Sequence, residues 1–136
     1  MSALDIAVGG ASPRGDLFLR TVAMPADTNP SGDIFGGWLL SQMDLAAGSL
    51  ASQRVGGRVV TIALDAMKFH SPVLTGDAVS CYCEVIRIGR TSLTIMVEAW
   101  ARRREYNDLH KVTEGKFTFV AIDDHRRPTP ISPEPA

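Results

Sequence analysis

The chain changes its hydrophobic period once. From Trp38 to Gln53, Leu39, Leu40, Met43, Ala46, Ala47, Leu50 and Ala51 fall on one face at about 100° per residue. Gln42, Ser49 and Gln53 lie opposite. That spacing predicts an amphipathic helix over 38–53, stopped by Gly56-Gly57. After the helix the period becomes two. Arg58–Phe69, Ala78–Ile88, Thr91–Arg104 and Lys111–Asp123 each read as long strands. In the third, Leu93, Ile95, Val97, Ala99 and Ala101 point one way, and Thr94, Met96, Glu98, Trp100 and Arg102 the other. Ahead of the helix, Asp16–Ala23 reads as a shorter strand. Met24–Asp33 follows as a loop, rich in the turn formers Pro25, Asp27, Asn29, Pro30, Ser31 and Gly32.

The links between the later strands hold Pro72 and Gly76, then Gly89-Arg90, then Asn107-Asp108. They are too short for parallel crossovers, so an antiparallel meander is expected. One strand, one long helix and four long strands predict an α+β domain over 16–123, with the helix laid across one sheet face. The other face carries Met96 and Trp100 among polar residues, and an edge strand is left unpaired. Both points favour a dimer or higher oligomer. The ends are expected to be flexible. Residues 1–15 are rich in Gly, Ala and Ser, and 124–136 hold Pro128, Pro130, Pro133 and Pro135.

Composition narrows the function classes. A chain of 136 residues fits one domain. With 14 basic and 15 acidic residues the net charge is −1, which argues against a general nucleic-acid binder. Cys81 and Cys83 cannot make a disulfide framework, and their shared strand face suits small core residues. No apolar run is long enough to suggest a membrane span, and the N-terminus lacks a signal-peptide pattern. A soluble, reducing, cytoplasmic setting is the default. His70, His110 and His125 lack metal-ligand spacing, so no metal is expected. The serines have no G-x-S-x-G context, which disfavours an α/β-hydrolase.

Four features offer chemistry. Asp44 is the only acid in the predicted helix and sits at the border of its apolar stripe, where partial desolvation makes a carboxylate a better base. An acid at a core edge with no chemical task fits that position as well. Gly36-Gly37 stands ahead of the helix, one turn before Asp44, and the first helix amides lack internal partners. Such amides hold an oxyanion or a carbonyl, though a simple turn also explains the pair. Asn29 precedes a proline in a turn, and its amide suits water or a substrate carbonyl. Gly89-Arg90-Thr91-Ser92 reads as a hairpin turn whose guanidinium, hydroxyls and amides suit a phosphate. Arg58 and Lys68 are further phosphate partners on the preceding strand.

These residues carry a resemblance. Met24-Pro25-Ala26-Asp27-Thr28-Asn29-Pro30-Ser31-Gly32-Asp33-Ile34-Phe35-Gly36-Gly37-Trp38, followed by Ser41-Gln42-Met43-Asp44, resembles the YciA-type acyl-CoA thioesterases of the hotdog fold. Arg58-Val59-Val60-Thr61, Met67 with Phe69, Pro72 with Gly76-Asp77, Gly89-Arg90-Thr91-Ser92 and Phe117-Thr118-Phe119-Val120-Ala121 extend the match across residues 18–123.

The resemblance implies a hotdog fold, a long central helix wrapped by a five-stranded antiparallel sheet. It implies at least a homodimer, commonly a hexamer built as a trimer of dimers, with the active site between protomers. Asp44 would act on the thioester, and Asn29 would come from the opposite protomer. Amides near Gly36 and Gly37 would polarise the carbonyl. Arg58, Thr61, Lys68, Phe69 and the Gly89–Ser92 turn are the candidate contacts for coenzyme A, which is part of the substrate, so no separate cofactor is implied. Leu45-Ala46-Ala47-Gly48 departs from relatives that place glycine nearer the aspartate, which bears on acyl length. Two other readings stand beside acyl-CoA hydrolysis. An acyl-thioester hydratase or dehydratase would want a histidine in the loop or helix, where this chain has none. A non-catalytic acyl-CoA sensor would need no base and would carry a DNA-binding segment.

Overall fold

A computed structural model describes residues 12–103 and 108–135. Its elements are β1 (Asp16–Val22), α1 (Gly36–Val55), β2 (Arg58–Phe69), β3 (Ala78–Ile88), β4 (Ser92–Arg102) and β5 (Leu109–Ile122). A short 3₁₀ turn, Pro25–Asp27, lies in the loop ahead of the helix. Arg104 and Asn107, expected at a strand end and in a turn, lie outside the described residues, as does most of the N-terminal segment. The helix runs two residues further at each end than its periodicity marks, because Gly36-Gly37 adopts helical geometry. It stops at Gly56, whose φ of 72° is the left-handed cap that a glycine takes without strain.

The helix buries Leu39, Met43, Ala46, Ala47 and Ala51 against the sheet. Its small residues let it approach closely. Facing it are Leu93, Ile95, Val97 and Ala99 of β4, with Phe117 and Phe119 of β5, all at most 2% exposed. Removing a fully buried side chain such as Met43 from such a core costs about 2–5 kcal/mol. The far sheet face closes a smaller cluster of Tyr82, Trp100 and Leu109. There Glu98 accepts from the Trp100 indole and from the Arg14 amide, both at 3.0 Å.

The sheet order is β1-β3-β4-β5-β2, with every neighbouring pair antiparallel. The expected meander holds for β3, β4 and β5. It fails for β2, which pairs with β5 and not with the strand that follows it in sequence. Residues 70–77 make the crossing. His70 and Ser71 donate backbone bonds to Val112 on β5, while Gly76 and Ala23 close the far end beside β1. Three strand spacings are about 14 Å, well within the reach of eight extended residues. A short link therefore rules out a parallel crossover but not a skipped neighbour. Asp77, 1% exposed, anchors the crossing by accepting from Leu74 N and from Arg103 Nε.

The tail corrects a second expectation. Its prolines suggested a loose end, yet residues 128–134 lie along the end of β5 and over the β3–β4 turn. Thr129 N donates to Ala121 O at 2.9 Å and Ile131 N to Arg90 O at 2.8 Å. Ile131 also packs against the core. The donors are the non-proline residues of Pro128-Thr129-Pro130-Ile131. In an extended segment alternate amides face opposite sides, so the prolines fall where no bond to the sheet is needed.

Candidate active site between helix and open edge

β2 forms one edge of the sheet, and its outer side is unpaired among the described residues. Ile62 is 57% exposed there, and Leu64 and Phe69 are also exposed, with Leu45 and Phe35 of the neighbouring helix region. Asp44 lies where the helix meets this edge. Its Oδ1 accepts the hydroxyl of Thr61 at 2.7 Å. Thr61 sits on β2 opposite Phe119, just before a register shift between Thr61 and Ala63. The bond fixes one carboxylate oxygen, and no described residue hydrogen-bonds to the other. Leu45, beside Asp44, is exposed, while Ala46 and Ala47 are fully buried under the sheet.

Thr61 was expected among the coenzyme A contacts, and the structure places it on the carboxylate. No local sequence signal reveals this, since the partner of a strand residue is set by how helix and sheet pack.

The loop asparagine is held by its own turn. Asn29 Oδ1 accepts from Ser31 N and Asp33 N, both at 3.0 Å. Both partners are N–H donors, so the acceptor must be the oxygen and the outward group is the amide NH₂. The NH₂ group makes no hydrogen bond among the described residues. Asn29 is therefore a poised donor, suited to a carbonyl oxygen.

Gly36 and Gly37 open the helix. Phe35, at the cap position, offers no side-chain bond, and only the Leu39 amide reaches back to Phe35 O. The amides of Gly36, Gly37 and Trp38 donate to no described acceptor. Neither glycine has positive φ, and a Cβ at either would meet nothing within 4 Å among the described residues. Nothing among the described residues requires glycine there, and the bare backbone suits close approach by a ligand or a second protomer. Gly37 and Asp44 are two helical turns apart, not one, a separation of about 10 Å along the axis. Beside Gly36 lies an apolar recess of about 70 Å³, lined by Ile34, Phe35, Leu39, Phe69, Val73 and Val112.

The candidate coenzyme A residues divide into two sets. Gly89–Ser92 forms a tight turn closed by Gly89 N to Ser92 O at 2.7 Å. Ser92 pairs with Val120, which pairs with Val60, so Arg58 and Thr61 share that end of the sheet. Lys68 and Phe69 pair with Glu114 and Thr113 at the other end. Seven residues of strand separate Thr61 from Lys68, roughly 23 Å. One protomer cannot bring Lys68 or Phe69 to the same phosphate as Arg90, and Phe69 lines the apolar recess instead.

One long helix lying in a five-stranded antiparallel sheet is the architecture of the hotdog fold, the fold of the hotdog thioesterases. The Thioesterase superfamily model matches residues 31–106. The acyl-CoA thioester hydrolase YciA of Escherichia coli K12 is 46% identical over 90% of this chain and 95% of that protein. A hexameric broad specificity acyl-coenzyme A thioesterase, HI0827, superposes with a TM-score of 0.88 at 44% identity, covering 94% of this chain and 88% of that one. The hexameric thioesterase y2039 from Yersinia pestis gives 0.86 at 47% identity, over 90% and 99% of the two chains. The chain belongs to the YciA-type acyl-CoA thioester hydrolases.

Proposed function

We propose that this protein hydrolyses acyl-CoA to a free carboxylic acid and CoA, with the Asp44 carboxylate as the reacting base. The hydrogen bond from Thr61 to Asp44 carries the reading. It holds Oδ1 and leaves Oδ2 as the basic atom. Oδ2 takes a proton from water as that water adds to the thioester carbonyl. The tetrahedral oxyanion then collapses, the C–S bond breaks, and the thiolate leaves with the proton. Direct attack by Oδ2, giving a mixed anhydride that water opens, balances equally. Label found in Asp44 after a single turnover in H₂¹⁸O marks that second route.

The oxyanion requires donors, and loss of one such donor typically costs about 3 kcal/mol in the transition state. The Asn29 amide and the first helix amides are the donors at hand. An axial separation of about 10 Å keeps one helix's start from meeting its own Asp44 at one carbonyl. A complete site therefore draws Asp44 from one protomer and the amides and Asn29 from its partner. The open, apolar β2 edge is the surface for that pairing, and the hexameric relatives support a trimer of such dimers. The recess beside Gly36 suits the acyl arm, and the Arg90 turn suits the nucleotide phosphates.

Thiol release from a panel of acyl-CoAs tests the activity. Turnover with at least one chain length supports it. Stoichiometric binding without thiol release would instead indicate a sensor.

A further inference from the structure

We infer that residues 128–134 form a strap that sets the Gly89–Ser92 turn, and that Arg54 and Ile131 are positioning residues for the CoA end of the site. The inference rests on the reading of Arg90 as a phosphate contact.

The turn has little to hold it on its own side. Its inner closure is the Gly89 N to Ser92 O bond, and Ala121 N reaches Thr91 O at 2.9 Å. The Arg90 carbonyl is held from outside, by Ile131 N at 2.8 Å. Fixing that carbonyl fixes the peptide plane beside Arg90, and so the direction in which its exposed guanidinium leaves the backbone. A preorganised cation binds phosphate with less loss of freedom than one on a loose turn.

The strap is itself anchored at both ends. At its start, Asp123 Oδ1 accepts from His125 N at 2.8 Å and Arg127 N at 2.9 Å, which folds the chain back. At its end, Arg54 in the last turn of the helix donates to the carbonyls of Ser132, Pro133 and Glu134, the shortest bond being 3.1 Å to Ser132. A cation there also suits the helix C-terminus. Three prolines, Pro128, Pro130 and Pro133, lower the entropy the segment loses on docking. Alternation of proline with Thr129 and Ile131 gives it one bonding side, so the other side cannot recruit a further strand.

The test compares steady-state kinetics of the full-length wild type with a chain ending at Arg127 and with Arg54→Ala. Each is assayed on an acyl-CoA and on the matching acyl-pantetheine, which lacks the nucleotide. Either variant should raise KM for acyl-CoA by roughly two- to fivefold, the scale of an exposed charge contact. Its kcat and its KM for acyl-pantetheine should stay near wild type. Adding Arg54→Ala to Arg90→Ala should change KM little further, because both act through one contact. Equal losses on the two substrates, or no loss on either, would overturn the strap. Arg54→Ala, which leaves the chain whole, decides the matter if the truncated chain does not fold. Arg90→Ala, run beside them, separates the two levels. If it shows no selective loss on acyl-CoA, the phosphate reading fails. A selective loss for Arg90→Ala with none for either strap variant sinks the strap alone.

Discussion

Thr61 donates its hydroxyl to Asp44 at 2.7 Å, tying the first residues of β2 to the one carboxylate of the helix. The bond crosses from an edge strand to a helix and fixes the rotamer of the group proposed to act on water or on the carbonyl. Thr61→Val keeps the shape and deletes the donor. Its kcat should fall by about tenfold to a hundredfold, the scale of a misplaced reacting group, with KM little changed. Thr61→Ser should recover most of the loss. A Thr61→Val enzyme with wild-type kcat would show that the bond has no part in turnover.

Asn29 separates into two roles. Its oxygen holds two loop amides, and its NH₂ is the donor proposed for the substrate. Asn29→Asp keeps an acceptor for the loop and removes the donor, so kcat should drop while Tm stays close to wild type. Asn29→Ala loses both functions and should also lower stability by about 1–2 kcal/mol. Urea unfolding and thiol-release kinetics on the pair check this. Equal kinetics for Asn29→Asp and wild type would remove the donor role.

A site shared between protomers makes a quantitative prediction. Asp44→Ala and Asn29→Ala chains, each nearly inactive alone, should regain activity when unfolded together and refolded. Random pairing gives half mixed dimers with one intact site in two, so about a quarter of wild-type activity is expected. No recovery in verified mixed dimers would place Asn29 and Asp44 of one chain in the same site.

The two thiols supply a pH prediction. Burial pushes both Cys81 and Cys83 up to about 12, the neighbouring Cys81 adding to the effect on Cys83. A raised value means the neutral thiol persists as pH rises past the ordinary range. At pH 8 roughly one such thiol in ten thousand is a thiolate. Iodoacetamide should therefore label neither cysteine in the folded protein and both after unfolding in guanidinium chloride, as intact-mass measurement will show. Rapid labelling of the native protein would contradict their burial.

Local pattern made much of this fold legible. The change of period at Gly56-Gly57 marked the helix and the strands that follow, because amphipathic spacing is a property of neighbouring residues. The partner of β2 was not legible, since strand order depends on where a link can reach, and eight residues reach past two strands. The same limit hid Thr61, whose contact exists only once helix and edge strand are packed. Proline misled at the tail. Counting prolines shows how many donors are missing, while Thr129 and Ile131 show that their positions decide whether the loss matters. Asp44, Asn29 and Gly36-Gly37 stood out because each is a chemically able residue in a motif. Which of their atoms are available became visible only from the bonds to Ser31, Asp33 and Thr61.

If the Asp44 carboxylate is what turns over acyl-CoA, replacing it by an amide all but stops the reaction. Thiol release from the best acyl-CoA of the panel is measured for wild type and Asp44→Asn, with oligomeric state checked by light scattering. Asn preserves size and can still accept from Thr61, but it is neither base nor carboxylate nucleophile. A general acid–base role is typically worth 10²–10⁴-fold, so kcat should fall by about that factor with assembly unchanged. An Asp44→Asn enzyme of normal assembly and near-wild-type kcat would show that the carboxylate takes no part in the reaction.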